Sequence, residues 1–156
     1  MAGIKLENRK ATSIAYINHV GPFDKIPWPE NIERLYSWAK SQHVMPGFYP
    51  MGIYLDDPKN TPVEKCRTEV AITFKGEAKE ESGIRIRQQP EMKVATYSHK
   101  GPSSEFAKTY DDLAKWIDSK GLRPTGPPIE VYSKRPEIVD GETILYAKIM
   151  MPVEKK

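Results

Sequence analysis

Ala15-Tyr16-Ile17-Asn18-His19-Val20-Gly21-Pro22 returns 80 residues later as Ala95-Thr96-Tyr97-Ser98-His99-Lys100-Gly101-Pro102, with Ala, His, Gly and Pro in register. Downstream, Leu35-Tyr36-Ser37-Trp38 answers to Leu113-Ala114-Lys115-Trp116 at an offset of 78, and Tyr54 and Pro58 find Tyr132 and Pro136 at that same offset. Any one match is within reach of chance. Their shared order, with a two-residue adjustment, points to an internal duplication, and repeats of this kind govern the reading of everything else.

The same succession of hydrophobic periods runs through both copies. Thr12 to Val20 and Met92 to His99 are rich in β-branched and aromatic residues and stop at Gly-Pro, the signature of a strand ending in a turn. After the turn the period lengthens. Phe106, Tyr110, Leu113 and Ile117 recur at i, i+4, i+7 and i+11, one face of a helix. Ser103 and Ser104 are its candidate N-caps and Lys120-Gly121 its stop. In the first copy Trp28, Ile32, Leu35 and Ala39 form the equivalent stripe, with Pro29 where a first helical turn tolerates it. Strand signals follow each helix at Met51 to Leu55, Glu69 to Phe74, Ile129 to Tyr132 and Thr143 to Met151. The polar, glycine-bounded stretch 75–83 reads as a linker. The expected fold is therefore α+β: two pseudo-symmetric strand-helix-strand-strand modules, antiparallel sheet with helices on one side, and a central cleft. A single domain over 1–156 contains repeat 1 (about 3–75) and repeat 2 (about 83–153). Small-molecule sites favour the junction of such halves.

Composition narrows the function classes. The chain has 156 residues, 38% of them apolar, which is enough for one domain with a substantial core. The longest apolar runs, such as Ile144 to Ala147, fall far short of the roughly 20 residues of a spanning helix. The charged opening Lys5-Leu6-Glu7-Asn8-Arg9-Lys10 has no signal-peptide core, so neither secretion nor a membrane partner is expected. A net charge of +3 without a basic block argues against direct nucleic-acid binding. The lone Cys66 excludes an internal disulfide, fits a cytoplasmic location and reads as a buried strand-end thiol. No cofactor or metal site is expected: Asp56-Asp57-Pro58 lacks a third oxygen ligand at a calcium spacing and reads as a turn. His19 and His99, each before Gly-Pro, read as side chains closing the strand-to-helix turn.

The ordered combination of His19-Val20-Gly21-Pro22-Phe23, Trp38-Ala39, Gly52-Ile53-Tyr54-Leu55-Asp56-Asp57-Pro58, Cys66-Arg67-Thr68-Glu69-Val70-Ala71-Ile72, His99-Lys100-Gly101-Pro102, Tyr110 to Trp116, Ile129-Glu130-Val131-Tyr132 and Met151-Pro152-Val153 resembles the GyrI-like family, over nearly the whole chain. That family comprises the effector-binding domains of AraC- and MerR-type regulators and free-standing relatives. The resemblance implies a cavity for a lipophilic, drug-like or toxin-like aromatic small molecule. It also implies two alternatives: a hydrolase detoxifying an electrophilic, cyclopropane-type compound, and a gyrase-inhibitor-like protein with a topoisomerase partner. The chain opens almost directly on the first module, so it is not expected to act as a transcription factor by itself. Trp28, Tyr54, Tyr110 and Tyr132 are the candidate stacking residues, whereas Trp38, Trp116 and Phe106 read as core. Regulator-type members place a glutamate four residues before the final Pro-Val. Lys148 stands there in this chain, and the pseudo-equivalent position holds Glu69. The two are expected to face one another and to set the charge preference, with Glu69 the candidate general base of the hydrolase reading and otherwise a strand salt bridge.

Overall fold

The computed structural model of the chain describes residues 3–156; Met1 and Ala2, with which the expected domain opens, lie outside the described residues. Among the described residues are eleven strands and two α-helices, in the order β1 (Lys5–Arg9), β2 (Thr12–Val20), α1 (Trp28–Ser41), β3 (Met45–Pro46), β4 (Met51–Tyr54), β5 (Arg67–Lys75), β6 (Arg85–Gln89), β7 (Met92–Pro102), α2 (Phe106–Ser119), β8 (Leu122–Pro124), β9 (Ile129–Tyr132), β10 (Glu137–Val139) and β11 (Glu142–Lys155). The fold is α+β, and all the pairings given below are antiparallel. No described helix is long and apolar enough to cross a membrane.

The chain forms two compact units, residues 10–91 and residues 3–9 with 92–156. In the first unit the strand order is β4-β5-β2-β6, with the short β3 also on β5. Alternation along the strands sends Ala15, Ile17, Val70, Ile72 and Phe74 to one face, where Leu35, Trp38 and Ala39 of α1 meet them. Trp38 is 2% exposed, stands edge-on to Phe74 at 5.2 Å and donates its indole N–H to the Lys79 carbonyl at 2.9 Å. In the second unit the order is β1-β7-β11-β9, with β8 and β10 on β11. Ala95, Ile149 and Val153 meet Leu113 and Ile117 of α2.

The helical stripes fall where their spacing puts them, and Pro29 sits in the first turn of α1. Gly121 ends α2 with φ 71°, a left-handed conformation open to glycine at little cost. The expected serine caps are not used. Ser103–Glu105 instead forms a 3-10 turn, and α2 starts without a side-chain cap. Five strands are absent from the sequence-based expectation: β3, β8 and β10, only two or three residues long, and β1 and β6. β1 and β6 are polar edge strands with no run of alternating apolar residues, so period-2 reading passes over them. The stretch read as a linker is tied to α1. Besides the Trp38 bond, Gln42 accepts from the Lys79 amide at 2.9 Å and Arg34 donates to the Ser82 carbonyl at 2.8 Å.

Truncating Trp38→Ala removes the largest fully buried side chain together with the bond that fastens this strap. A loss of about 3–5 kcal/mol is expected, measured as a lowered denaturant midpoint in equilibrium unfolding.

Candidate functional site

In the first unit Glu69 lies on β5 opposite Asn18 and Ile53, on the face turned away from α1. It is 4% exposed. Burying a carboxylate is costly unless it is paired and fully hydrogen-bonded. Arg87 of β6 meets that demand by donating to both oxygens, at 2.5 and 2.6 Å, in a bidentate fork that crosses β2. On the way the guanidinium passes over the Tyr16 ring at 4.6 Å. The Glu69 bond holds Arg87 further above its already high pKa. Tyr54 takes the opposite face. It pairs with Thr68, next to Glu69 in the strand, and stacks edge-on against Phe23 at 5.1 Å. Trp28, like Phe23, packs against the α1-side core.

In the second unit the same construction carries inverted charge. Lys148 on β11 lies opposite Ser98 and Val131, and its ammonium donates to Glu7 of β1 at 3.0 Å. Thr96 also donates to Glu7, at 3.3 Å. Asn18 and Ser98 are 80 residues apart, as are Tyr16 and Thr96, and Arg87 stands 80 residues after Glu7. An acid on the long strand with a base on the edge strand in one unit thus becomes a base with an acid in the other.

On the α2 side of the second unit the strand alternation brings Glu130 and Tyr132 onto one face, because they pair with Ile149 and Ala147 of β11. Tyr110 projects from α2 to the same place. Its hydroxyl donates to Glu130 at 2.6 Å, and the Tyr132 hydroxyl donates to the other oxygen at 2.7 Å. Glu130 is 7% exposed. Phe106 stands edge-on to Tyr110 at 5.6 Å. Each carboxylate oxygen thus accepts from one tyrosine hydroxyl. By the offset of 78, Gly52 stands where Glu130 does, and the first unit has no such acid at that position.

The six residues put forward from the sequence thus fall three to a unit. Tyr110 and Tyr132 converge, on a residue the sequence reading did not single out as a site. Its signal was present: an acid two residues before a tyrosine in a short strand shares a face with it. Trp28 and Tyr54 share their surroundings with Phe23. Glu69 and Lys148, expected as each other's counterparts, are taken instead by Arg87 and Glu7. The correction has a simple cause: both partners sit on the edge strands that the hydrophobic pattern concealed. The fork on Glu69 also leaves that carboxylate poorly placed to act as a base, since both oxygens already accept from a fixed cation.

The remaining candidates are occupied structurally. The His19 Nε2 lies 3.3 Å from the Pro22 carbonyl, and the His99 Nε2 lies 3.3 Å from that of Gly101, each closing its turn. Asp56 receives both the backbone N–H and the guanidinium of Arg67, while Asp57 accepts from the Lys59 amide. Burial pushes the Cys66 thiol above its ordinary range, and Asp56, Asp57 and Glu64 add to the shift. A thiol so placed is a poor nucleophile.

Residues 3–154 match the model of the GyrI-like small molecule binding domain. A DNA gyrase inhibitor of Pectobacterium carotovorum is 30% identical over 127 residues, 79% of this chain and 80% of that protein. Among solved structures, the EcmrR C-terminal domain superposes with a TM-score of 0.77 at 21% identity, covering 98% of both chains. In the EcmrR–DNA complex the likeness spans 57% of the EcmrR chain and 98% of this one, again with a TM-score of 0.77. A protein called SAV2435, solved with tetraphenylphosphonium, is similar with a TM-score of 0.56 at 12% identity over 97% of this chain.

Hydrogen bonding from Lys148, ahead of its charge and of Thr96, holds the Glu7 carboxyl below its ordinary value of 4.5. A carboxyl lowered in the folded state contributes stability above its unfolded pKa and loses it as pH falls through the folded one. Acid titration should therefore show a loss below pH about 4.5 of about 0.2–1 kcal/mol, modest because both side chains are part-exposed. Glu7→Gln should remove that increment, read as the difference in unfolding free energy between neutral pH and pH about 3.

Proposed function

The chain belongs to the GyrI-like small-molecule binding family, and from that premise we propose that it binds a lipophilic aromatic cation against Glu130, Tyr110 and Tyr132 of the second unit. The observation that carries this reading is the convergence of two tyrosine hydroxyls on one buried carboxylate. Two phenol hydroxyls donate to the acid, and aromatic rings beside a carboxylate are a setting that attracts an organic cation. In a water-poor setting a delocalised organic cation gains from both, whereas a small, strongly hydrated ion would lose its hydration shell. The tetraphenylphosphonium bound to SAV2435 is a ligand of this kind and supports the choice of chemistry. Trp28 and Tyr54 are left to the packing of the first unit in this proposal, and Glu69 and Lys148 to their ion pairs.

The test is a titration of the purified protein with tetraphenylphosphonium, with tetraphenylborate as an anion of matching shape, followed by tryptophan fluorescence and thermal shift. The cation should stabilise the fold and the anion should not. Glu130→Gln should weaken cation binding by about 10- to 100-fold, the worth of a charged contact of about 1.5–3 kcal/mol. Tyr110→Phe should cost less. Equal response to cation and anion, or unchanged affinity in Glu130→Gln, would overturn the reading.

Two other readings attach to specific observations. A carboxylate within hydrogen-bond distance of two phenols is also acid–base equipment, so Glu130 would replace Glu69 as the base of a hydrolase; product would then exceed protein in molar terms. The likeness to a DNA gyrase inhibitor favours a topoisomerase partner, for which the pure protein would block supercoiling with no small molecule added.

A further inference from the structure

Each unit takes its edge strand from a distant part of the chain. β1 is followed after only Lys10-Ala11 by β2, yet it pairs with β7. β6 is followed after only Pro90-Glu91 by β7, yet it pairs with β2. Neighbouring antiparallel strands joined by two residues ordinarily form a hairpin, so the exchange requires a cause.

The hairpins would fit the strand register. A two-residue turn at Lys10-Ala11 would oppose Arg9 to Thr12 and hence Glu7 to Ile14, the place Arg87 now holds. A turn at Pro90-Glu91 would oppose Gln89 to Met92 and hence Arg87 to Val94, the place Glu7 now holds. Hydrophobic pattern and register are therefore the same in both arrangements. What differs is charge. In the hairpins Glu7 would point across β2 at the buried Glu69, and Arg87 across β7 at Lys148. As built, Arg87 meets Glu69 and Glu7 meets Lys148. Like charges in such positions repel, and burial of Glu69 raises the penalty for leaving it uncompensated.

We propose that these two oppositely wired ion pairs select the strand topology: Glu69 recruits β6 by Arg87 and rejects β1 by Glu7, and Lys148 does the reverse. Turn chemistry works in the same direction. Where this chain does make a two-residue hairpin, between β10 and β11, it uses Asp140-Gly141 with φ 51° and 80°. Both angles are positive, as the tight hairpin turn requires. Lys10-Ala11 and Pro90-Glu91 have no positive φ, and proline is locked at negative φ. The turns therefore permit the exchange, and the charges decide it.

The two contributions separate in a background that removes the turn bias: Lys10→Asn, Ala11→Gly, Pro90→Asn and Glu91→Gly. Cross-strand α-proton NOEs report the topology, linking β1 to β7 in the exchanged form and β1 to β2 in the hairpin form. With native charges this background should keep the β1–β7 contacts. Adding Glu7→Lys and Arg87→Glu should replace them with β1–β2 contacts, because Lys at 7 then suits Glu69 and Glu at 87 suits Lys148. Retention of β1–β7 contacts after charge inversion would overturn the proposal. So would their loss while native charges remain, which would make the turns decisive. If the inverted protein does not fold, adding Glu69→Lys and Lys148→Glu to it restores both pairs in the exchanged topology and should recover a folded protein with β1–β7 contacts. Failure to recover would equally overturn it.

Discussion

A strand hands its side chains to two faces by turns, and in β5 and β11 that alternation assigns every other feature of the two units its place. Val70, Ile72 and Phe74 go to α1, while Glu69, on the other parity, is carried into a buried position on the far face. Ala147 and Ile149 share the α2 side with the Glu130–Tyr132 pair of β9, and Lys148 is sent the other way. A one-residue slip in either strand would exchange these populations, placing a charge against a helix and an isoleucine at an ion pair. Helix packing, charge pairing and the tyrosine-flanked acid thus rest on a single register in each unit.

That constraint separates two kinds of polar group. Glu69 is answered in kind by a guanidinium, and its chemistry is spent on joining β5 to β6. Glu130 accepts instead from two tyrosine hydroxyls, one on each oxygen. The first arrangement is what a structural acid needs. The second is the arrangement on which the proposed cation site rests, in a chain that belongs to a small-molecule binding family.

Much of this was legible beforehand. The helices announced themselves because apolar residues at 3.6 spacing must face one way, and β2, β7 and β9 because β-branched and aromatic residues end at turn residues. β1 and β6 gave no such signal: Lys5-Leu6-Glu7-Asn8-Arg9 and Arg85-Ile86-Arg87-Gln88-Gln89 each hold one apolar residue, as edge strands can afford to do. With those strands hidden, the partners of Glu69 and Lys148 were hidden too, and each charge was assigned to the other. Glu130 went unremarked for a related reason. An acid beside a tyrosine in a four-residue strand means little until α2 delivers Tyr110 to the same spot.

Local periodicity and ordered short motifs carry the kind of fold, the order and faces of the principal elements, and the family, so all of these can be read along the chain. Which edge strand each unit recruits, and which carboxylate accepts from two tyrosines, is visible in the folded chain alone. Local pattern is silent on both: the alternative strand pairings share one register and one hydrophobic pattern, so the choice falls to charges that lie far apart in the chain and meet only after it has folded.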